Sequence, residues 1–354
     1  MNNSHDSGTL PDWAVINVDG IDNFKDYLLP EDDIGKLKAA PSLNSSVTDY
    51  LLNNSESGSY LPWTKTHGDF ALRHSEVSVV AGMNGSGKSV WVSEVAINLL
   101  REAYCNGNKN KVLMISPEMS PAQNMARAVR QILAKPEAGI TDQDIGAALG
   151  WLGNKYYIYD HLGSVAPDVL LGLIRYSAAE LGVTHVFIDN LTILKLTNSS
   201  ADVNLTSKQF IADLVSISRE TQTHCVLVAH TRKPPNGIHD RQDKYSVRGA
   251  SEITDLVDNV WGISRSFLRE EKLNYLDPMG DRDEYVEWLN KPSAFMEIQK
   301  QRHGSGALKR YSLYYDIPSM RFMPKPQMLP ATYEEIAQLH QSIGGETSLG
   351  YSGR

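Results

Sequence analysis

Gly82, Gly87, Lys88 and Ser89 stand in the register G-x-x-x-x-G-K-[ST] within the stretch "GMNGSGKS". A loop of this type turns backbone N–H groups toward phosphate at a helix N-terminus. Gly82, Asn84, Gly85, Ser86 and Gly87 are therefore candidate phosphate contacts. Lys88 would neutralise charge on the β- and γ-phosphates, and Ser89 would ligate Mg²⁺. Asp189 closes the apolar run "THVFIDN". A carboxylate at such a strand end reaches a metal directly or through water; the plainer reading is a cap on a following helix. Glu118, in "ISPEMSPAQ", follows another apolar run. It is a candidate for orienting or deprotonating an attacking water. The plainer reading is an acid favoured at a helix start, although Ser120 is the better cap.

Two further groups carry charge or proton chemistry. His230 ends "HCVLVAH" and opens a polar loop with Arg232, Lys233, Arg241, Lys244 and Arg248 set against Asp240 and Asp243, a local charge of +3. A hydrogen-bonding side chain at that strand end can sense the γ-phosphate and pass its loss to the loop; a lone histidine is otherwise structural. The cations suit phosphodiester contacts, or else form a merely solvated loop. In "KQRHGSG", Lys300 and Arg302 lie two residues apart on one strand face, before a turn. Such a pair can act as an arginine finger on an adjacent subunit's nucleotide, although period-two cations are also common on exposed strands.

These residues act together only if strand ends bring them to one edge. Near-continuous apolar runs at 77–82, 111–116, 156–160, 185–190 and 225–230 predict strands covered on both faces. Helical segments at 88–104, 121–134, 166–182 and 205–221 alternate with them, which predicts βαβ crossovers, an α/β fold and a mostly parallel sheet. A strand at 260–264 follows. The segments 294–302 and 308–316, joined by "HGSG", predict a C-terminal β-hairpin added at one sheet edge. Glu118's strand follows the helix that the phosphate loop opens, so its end is expected beside the bound γ-phosphate. Residues 1–60 read as a flexible arm with brief amphipathic helices in "DNFKDYLLPEDD" and "SSVTDYLLNN", docking on a neighbouring subunit being the alternative. Residues 61–325 form the main domain, with a charged exposed insertion at 266–292, and 326–354 form a tail with one short helix, "TYEEIAQLH".

At 354 residues, with 41% hydrophobic and 21% charged side chains, the chain has ordinary globular composition. Its net charge of −8 argues against a protein that coats DNA on an open surface, while leaving room for basic loops confined to a channel. No apolar run approaches a membrane span, and the polar start reads as no signal peptide. Two distant cysteines, Cys105 and Cys225, offer neither a disulfide framework nor a zinc module and suggest a reducing cytoplasm, that of a host if the chain is phage-encoded.

Over roughly residues 60–320 the chain resembles the ring helicases of the DnaB and Twinkle type. The likeness rests on "GMNGSGKS", the glutamate of "SPEMS", the aspartate of "VFIDN", the histidine of "VLVAH" and "KQRHG", in that order. It implies a RecA-like P-loop NTPase core that assembles as a hexamer, or heptamer, and moves 5′ to 3′ along single-stranded DNA in replication. ATP is the default nucleotide, with Mg²⁺. By resemblance Glu118 is the catalytic base, His230 the γ-phosphate sensor, and Lys300 with Arg302 the finger acting on a neighbour. Arg248, Gly249 and Ser251, in "VRGASEITDLVDNV", would face DNA, and 196–207 sits where the family's first channel loop lies. The family's R-x-S-G-A is here Arg248-Gly249-Ala250-Ser251-Glu252. No folded N-terminal domain of the DnaB kind fits in 1–60, so a separate primase, loader or polymerase is implied, as for a phage or plasmid helicase. Rival readings are a RecA/RadA-like recombination ATPase forming filaments on DNA and a KaiC-like regulatory ATPase.

Overall fold

In a computed structural model, residues 15–16, 40–52, 58–190, 200–231, 246, 254–303, 306 and 308–333 are described. Ten strands form one sheet: β1 (Val15–Ile16), β2 (Val77–Gly82), β3 (Val112–Ile115), β4 (Tyr156–Tyr159), β5 (His185–Ile188), β6 (His224–His230), β7 (Asn259–Arg265), β8 (Ala294–Gln301), β9 (Arg310–Asp316) and β10 (Arg321–Met323). Their spatial order is β1-β4-β3-β5-β6-β2-β7-β8-β9-β10. Pairing is parallel from β1 to β7 and antiparallel from β7 to β10. The expected hairpin is thus β8–β9 at one edge, extended by β10.

Strands β2 to β5 are buried at every position, as the unbroken apolar runs require of strands with helices on both faces. Alternate residues feed opposite cores: Val80, Val112 and Met114 meet one cluster, Val79, Leu113 and Ile115 the other. The first cluster takes in α2 (Lys88–Asn106), α3 (Pro121–Leu133) and α4 (Asp142–Leu152). The second takes in α5 (Pro167–Leu181) and α6 (Ser200–Glu220). Local chemistry sets several ends. Ser120 and Gln123 form a capping box for α3, Thr141 and Asp144 another for α4, and Gly182 ends α5 in the left-handed region.

The structure departs from the expected layout in four places. Helix α4 was not expected, because "DQDIGAALGWL" has two glycines that mask its period. Helix α6 begins at Ser200, so much of 196–207 is helical. The insertion is a helical pair, α7 (Phe267–Tyr275) and α8 (Arg282–Asn290), with Tyr275 and Met279 exposed. Within 1–60, α1 (Asn44–Leu52) matches "SSVTDYLLNN", and β1 adds two residues to the edge of β4. The "DNFKDYLLPEDD" segment and most of "TYEEIAQLH" lie outside the described residues. Among those residues no helix is long and apolar enough to cross a membrane.

Beneath the phosphate loop lies an aromatic cluster. Trp261 on β7 meets Phe70 edge-on at 4.5 Å and Trp91 of α2 at 5.2 Å, and Trp91 meets Trp63 at 5.9 Å. Strand β10 is fastened to α2 where Phe322 N–H donates to Glu94 Oε2 at 2.8 Å, and to the segment before β2 where Trp63 Nε1–H donates to Phe322 O at 2.6 Å. Truncating Trp261 opens a cavity in this fully buried cluster, so Trp261→Ala is expected to cost about 3–5 kcal/mol in denaturant unfolding. Leu268→Ala, on exposed α7, should stay within about 0.5 kcal/mol.

Candidate nucleotide-binding site

The phosphate loop leaves β2 at Gly82, where only glycine fits. A Cβ there would stand 2.3 Å from Ile263 O on β7 and 2.7 Å from Ser86 Oγ. Gly87 caps α2 at φ 91°, with the Phe322 ring 3.2 Å from where its Cβ would lie. Lys88 donates to Gly82 O at 2.9 Å and Met83 O at 2.7 Å, so its ammonium is held by the loop's own carbonyls. Burial pushes the pKa of Lys88 down to about 8, against the opposing pull of the Asp189 and Glu118 carboxylates. The Ser86 hydroxyl is buried, lines the cavity described below, and has no hydrogen-bond partner among the described residues. A buried donor of this kind, beside a lysine at a helix N-terminus, suits the oxygens of a triphosphate.

The Ser89 hydroxyl lies near enough to the Asp189 carboxylate to favour its ionised form, so the two expected Mg²⁺ ligands stand side by side. Burial raises the Asp189 carboxyl's pKa, offset chiefly by the Ser89 hydroxyl and then by Arg127. Arg127, on α3, donates from Nη1 to Ser89 O at 3.1 Å. Arg127 has no signal in the sequence, since one arginine on an amphipathic helix gives no motif. Among the described residues no cluster of three histidine, cysteine or acidic side chains can hold a metal. A site of one hydroxyl and one carboxylate fits Mg²⁺, which takes few protein ligands and completes its shell with phosphate and water.

Sheet order explains how the remaining groups converge. The ends of β3, β5, β6 and β2 are consecutive neighbours and carry Glu118, Asp189 with Asn190, His230 and the loop, respectively. His230 is level with Gly82 across β6 and β2. Glu118 is expected beside the bound γ-phosphate; its strand is not a neighbour of the loop strand, since β5 and β6 intervene and place β3 about 14 Å from β2 at ~4.8 Å per strand. Glu118 still lines the common cavity, and Asn190 joins it to His230 at the end of β6. Asn190 Nδ2 donates to Glu118 Oε1 at 2.8 Å and lies 3.0 Å from His230 Nε2. Its signal in the sequence was only its place beside Asp189.

The cavity measures about 690 Å³. Besides the loop it is lined by Tyr315, Ile317 and Phe322, the last packed against Gly87, and by Arg265, Arg269 and Glu270. The insertion read as merely exposed thus contributes a wall. Arg269 is fixed by the carbonyls of Trp288 at 3.1 Å and Leu289 at 3.2 Å, and Arg265 pairs with Glu270.

Lys300 and Arg302 lie elsewhere. Strand β8 runs antiparallel to β7 and sets Gln301 opposite Asn259, which is level with Ser78 near the start of β2. Both cations therefore occupy the sheet edge opposite the loop. Lys300 Nζ donates to the carbonyls of Thr254, Asp255 and Val257, while Arg302 donates to Asp255 O at 2.9 Å and Asp258 Oδ1 at 3.3 Å. The expected DNA contacts Arg232, Lys233, Arg241, Lys244, Arg248, Gly249 and Ser251 lie outside the described residues.

A family model for the AAA domain matches residues 67–236, the span from before the loop to just beyond His230. Among solved structures, the ATPase domain of a phage helicase superposes with a TM-score of 0.62 at 16% identity, covering 81% of this chain and 99% of that one. A DnaB-like replicative helicase, solved for its interactions with primase, gives 0.60 at 16% identity over 81% of this chain and 67% of its own. No curated protein matches the chain by sequence. The chain has the RecA-like fold of these helicase ATPase domains.

Phosphate oxygens restore the charge of Lys88, so binding takes up a proton wherever the free lysine is neutral. Affinity for a non-hydrolysable triphosphate is expected to fall above about pH 8, by up to about tenfold per pH unit. Calorimetry in buffers of different ionisation enthalpy should detect the proton uptake, and an affinity flat across that range would refute it. Folding carries the opposite sign. The lowered pKa penalises the folded state below about 8, and the penalty is relieved as pH rises toward 10.5.

Proposed function

We propose that this protein is an ATP-hydrolysing helicase motor of DNA replication that works as a ring, moves 5′ to 3′ on single-stranded DNA and completes each site between neighbouring subunits. The observation that carries this reading is the opposition of the two sheet edges. The loop, Glu118, Asp189 and His230 sit at one edge. Lys300 and Arg302 sit at the other, about 17 Å away along six-residue β2 at ~3.3 Å per residue. A finger so placed would serve a neighbour's nucleotide. The similarity to helicase ATPase domains supports the same reading.

In this scheme the loop amides and Lys88 bind the β- and γ-phosphates, and Ser89 with Asp189 hold Mg²⁺, which supplies charge neutralisation on the phosphates. Glu118 orients a water toward the γ-phosphorus and takes its proton. His230 reads the γ-phosphate and passes its loss to the segment that begins at Arg232. Arg232, Lys233, Arg241, Lys244, Arg248, Gly249 and Ser251 contact DNA phosphates in the channel. The assembly is a hexamer or heptamer, with priming and loading supplied by separate proteins.

Steady-state ATP hydrolysis with and without single-stranded DNA tests the reading. Lys88→Ala should abolish turnover. Arg302→Ala and Arg302→Lys should each lower kcat by about 10³-fold while nucleotide affinity stays within about threefold. The lysine variant keeps a cation beside buried Asp258 and so guards against misfolding. Mixing Lys88→Ala with Arg302→Ala subunits should restore part of the activity. Normal turnover by both Arg302 variants would sink the shared-site scheme, and indifference to DNA would favour a regulatory ATPase. A fork with a 5′ tail should be unwound faster than one with a 3′ tail, and images of the DNA complex should show closed rings rather than filaments.

A further inference from the structure

We propose that Asn190 is a positioning residue that ties His230 to Glu118, so that the orientation of the base follows the end of β6. The inference rests on the reading of Glu118 as base. It begins from a primary amide whose two N–H groups face two acceptors, Glu118 Oε1 at 2.8 Å and His230 Nε2 at 3.0 Å. The carboxylate fixes the amide's sense, because the reverse orientation would set its oxygen against Glu118. Nε2 of His230 is then the acceptor.

Both ends of the relay are anchored. Asn190 is 1% exposed, and the preceding residue is held to β3 by Asp189 N–H donating to Ile115 O at 2.9 Å. On the other side His230 is the last residue of β6, and Thr231 N–H donates to Gly82 O at 3.2 Å. The basic segment of the sequence begins at the next residue, Arg232. A pull on that segment by DNA reaches His230 through Thr231, and through one shared amide reaches Glu118. A ligand contacting the γ-phosphate side of His230 travels the same two hydrogen bonds in the same order. The regulation assigned here is thus of the hydrolytic step by the DNA-facing segment, with Asn190 as the link.

A double-mutant cycle on the full-length protein tests it. Asn190→Ala removes the link, and Asn190→Leu removes both donors while nearly keeping the volume, so a folding defect from a cavity affects only the first. Each should lower DNA-stimulated kcat by about tenfold, a fraction of what a general base supplies, with KM for nucleotide within about threefold. His230→Ala should also lower kcat in the wild-type background, and by at least about threefold less once Asn190 is replaced, its contact with the γ-phosphate accounting for what remains. Effects that multiply across the cycle, or wild-type kcat in Asn190→Leu, would overturn the link. A wild-type protein with no DNA-stimulated turnover would sink the reading of the site itself, which separates the two failures.

Discussion

The carbonyl of Gly82 is shared. It accepts from Lys88 Nζ on one side and from the N–H of Thr231 on the other. The same residue is level with His230 on β6, and its missing Cβ leaves room for Ile263 O on β7. The path of the phosphate loop, the resting place of its lysine and the height of β6 are thus set at one position between two strands. A side chain there would collide with backbone, which cannot swing away as a flexible side chain can. The loop is therefore held by the centre of the parallel sheet, and the residues after β6 and β5 inherit their positions from it.

Electrostatics around that point are balanced at close range. Lys88 and Asp189 are both almost fully buried, and burial moves each toward neutrality, the lysine downward and the aspartate upward. Arg127 adds a second cation whose charge favours ionised Asp189, while Glu118 opposes it. An incoming polyphosphate shifts this balance toward the charged forms of both cations. In a buried site that gain is large because little water screens it. The carbonyls of Gly82 and Met83 keep the Lys88 ammonium hydrogen-bonded within the loop itself.

Much of this arrangement was legible in the sequence because it rests on local patterns. Five apolar runs marked β2 to β6 within a residue or two, and the loop motif fixed the start of α2 at Lys88. Sheet order was not legible. Nothing in the run "KVLMIS" states that two strands stand between it and β2, and Asn190 owes its role to that spacing. The same holds for Tyr315 and Arg269, which reach the cavity only because the hairpin and α7 fold back over the loop. A period-two pattern identifies a strand's faces, not which ligand lies above them. Arg127 and α4 were missed for a different reason, as one lacks a motif and the other contains glycines that weaken a helical pattern.

Strand β2 joins the two edges physically. Its first amide, Val77 N–H, donates to Asp258 Oδ2 at 2.9 Å, and the other oxygen of that buried carboxylate accepts from Arg302. Asn259 ties the same region to Glu76 and Ser78. The far end of β2 becomes the phosphate cradle. A strand paired on both sides is stiff along its length, so a displacement of Arg302 is not absorbed within β2. Subunits arranged head to tail would place one copy's Arg302 edge against the next copy's loop edge, a heterologous contact that closes when its rotation divides a full turn. In such an arrangement, Arg302, if it is the proposed finger, would be joined to that subunit's own phosphate loop through Asp258 and β2.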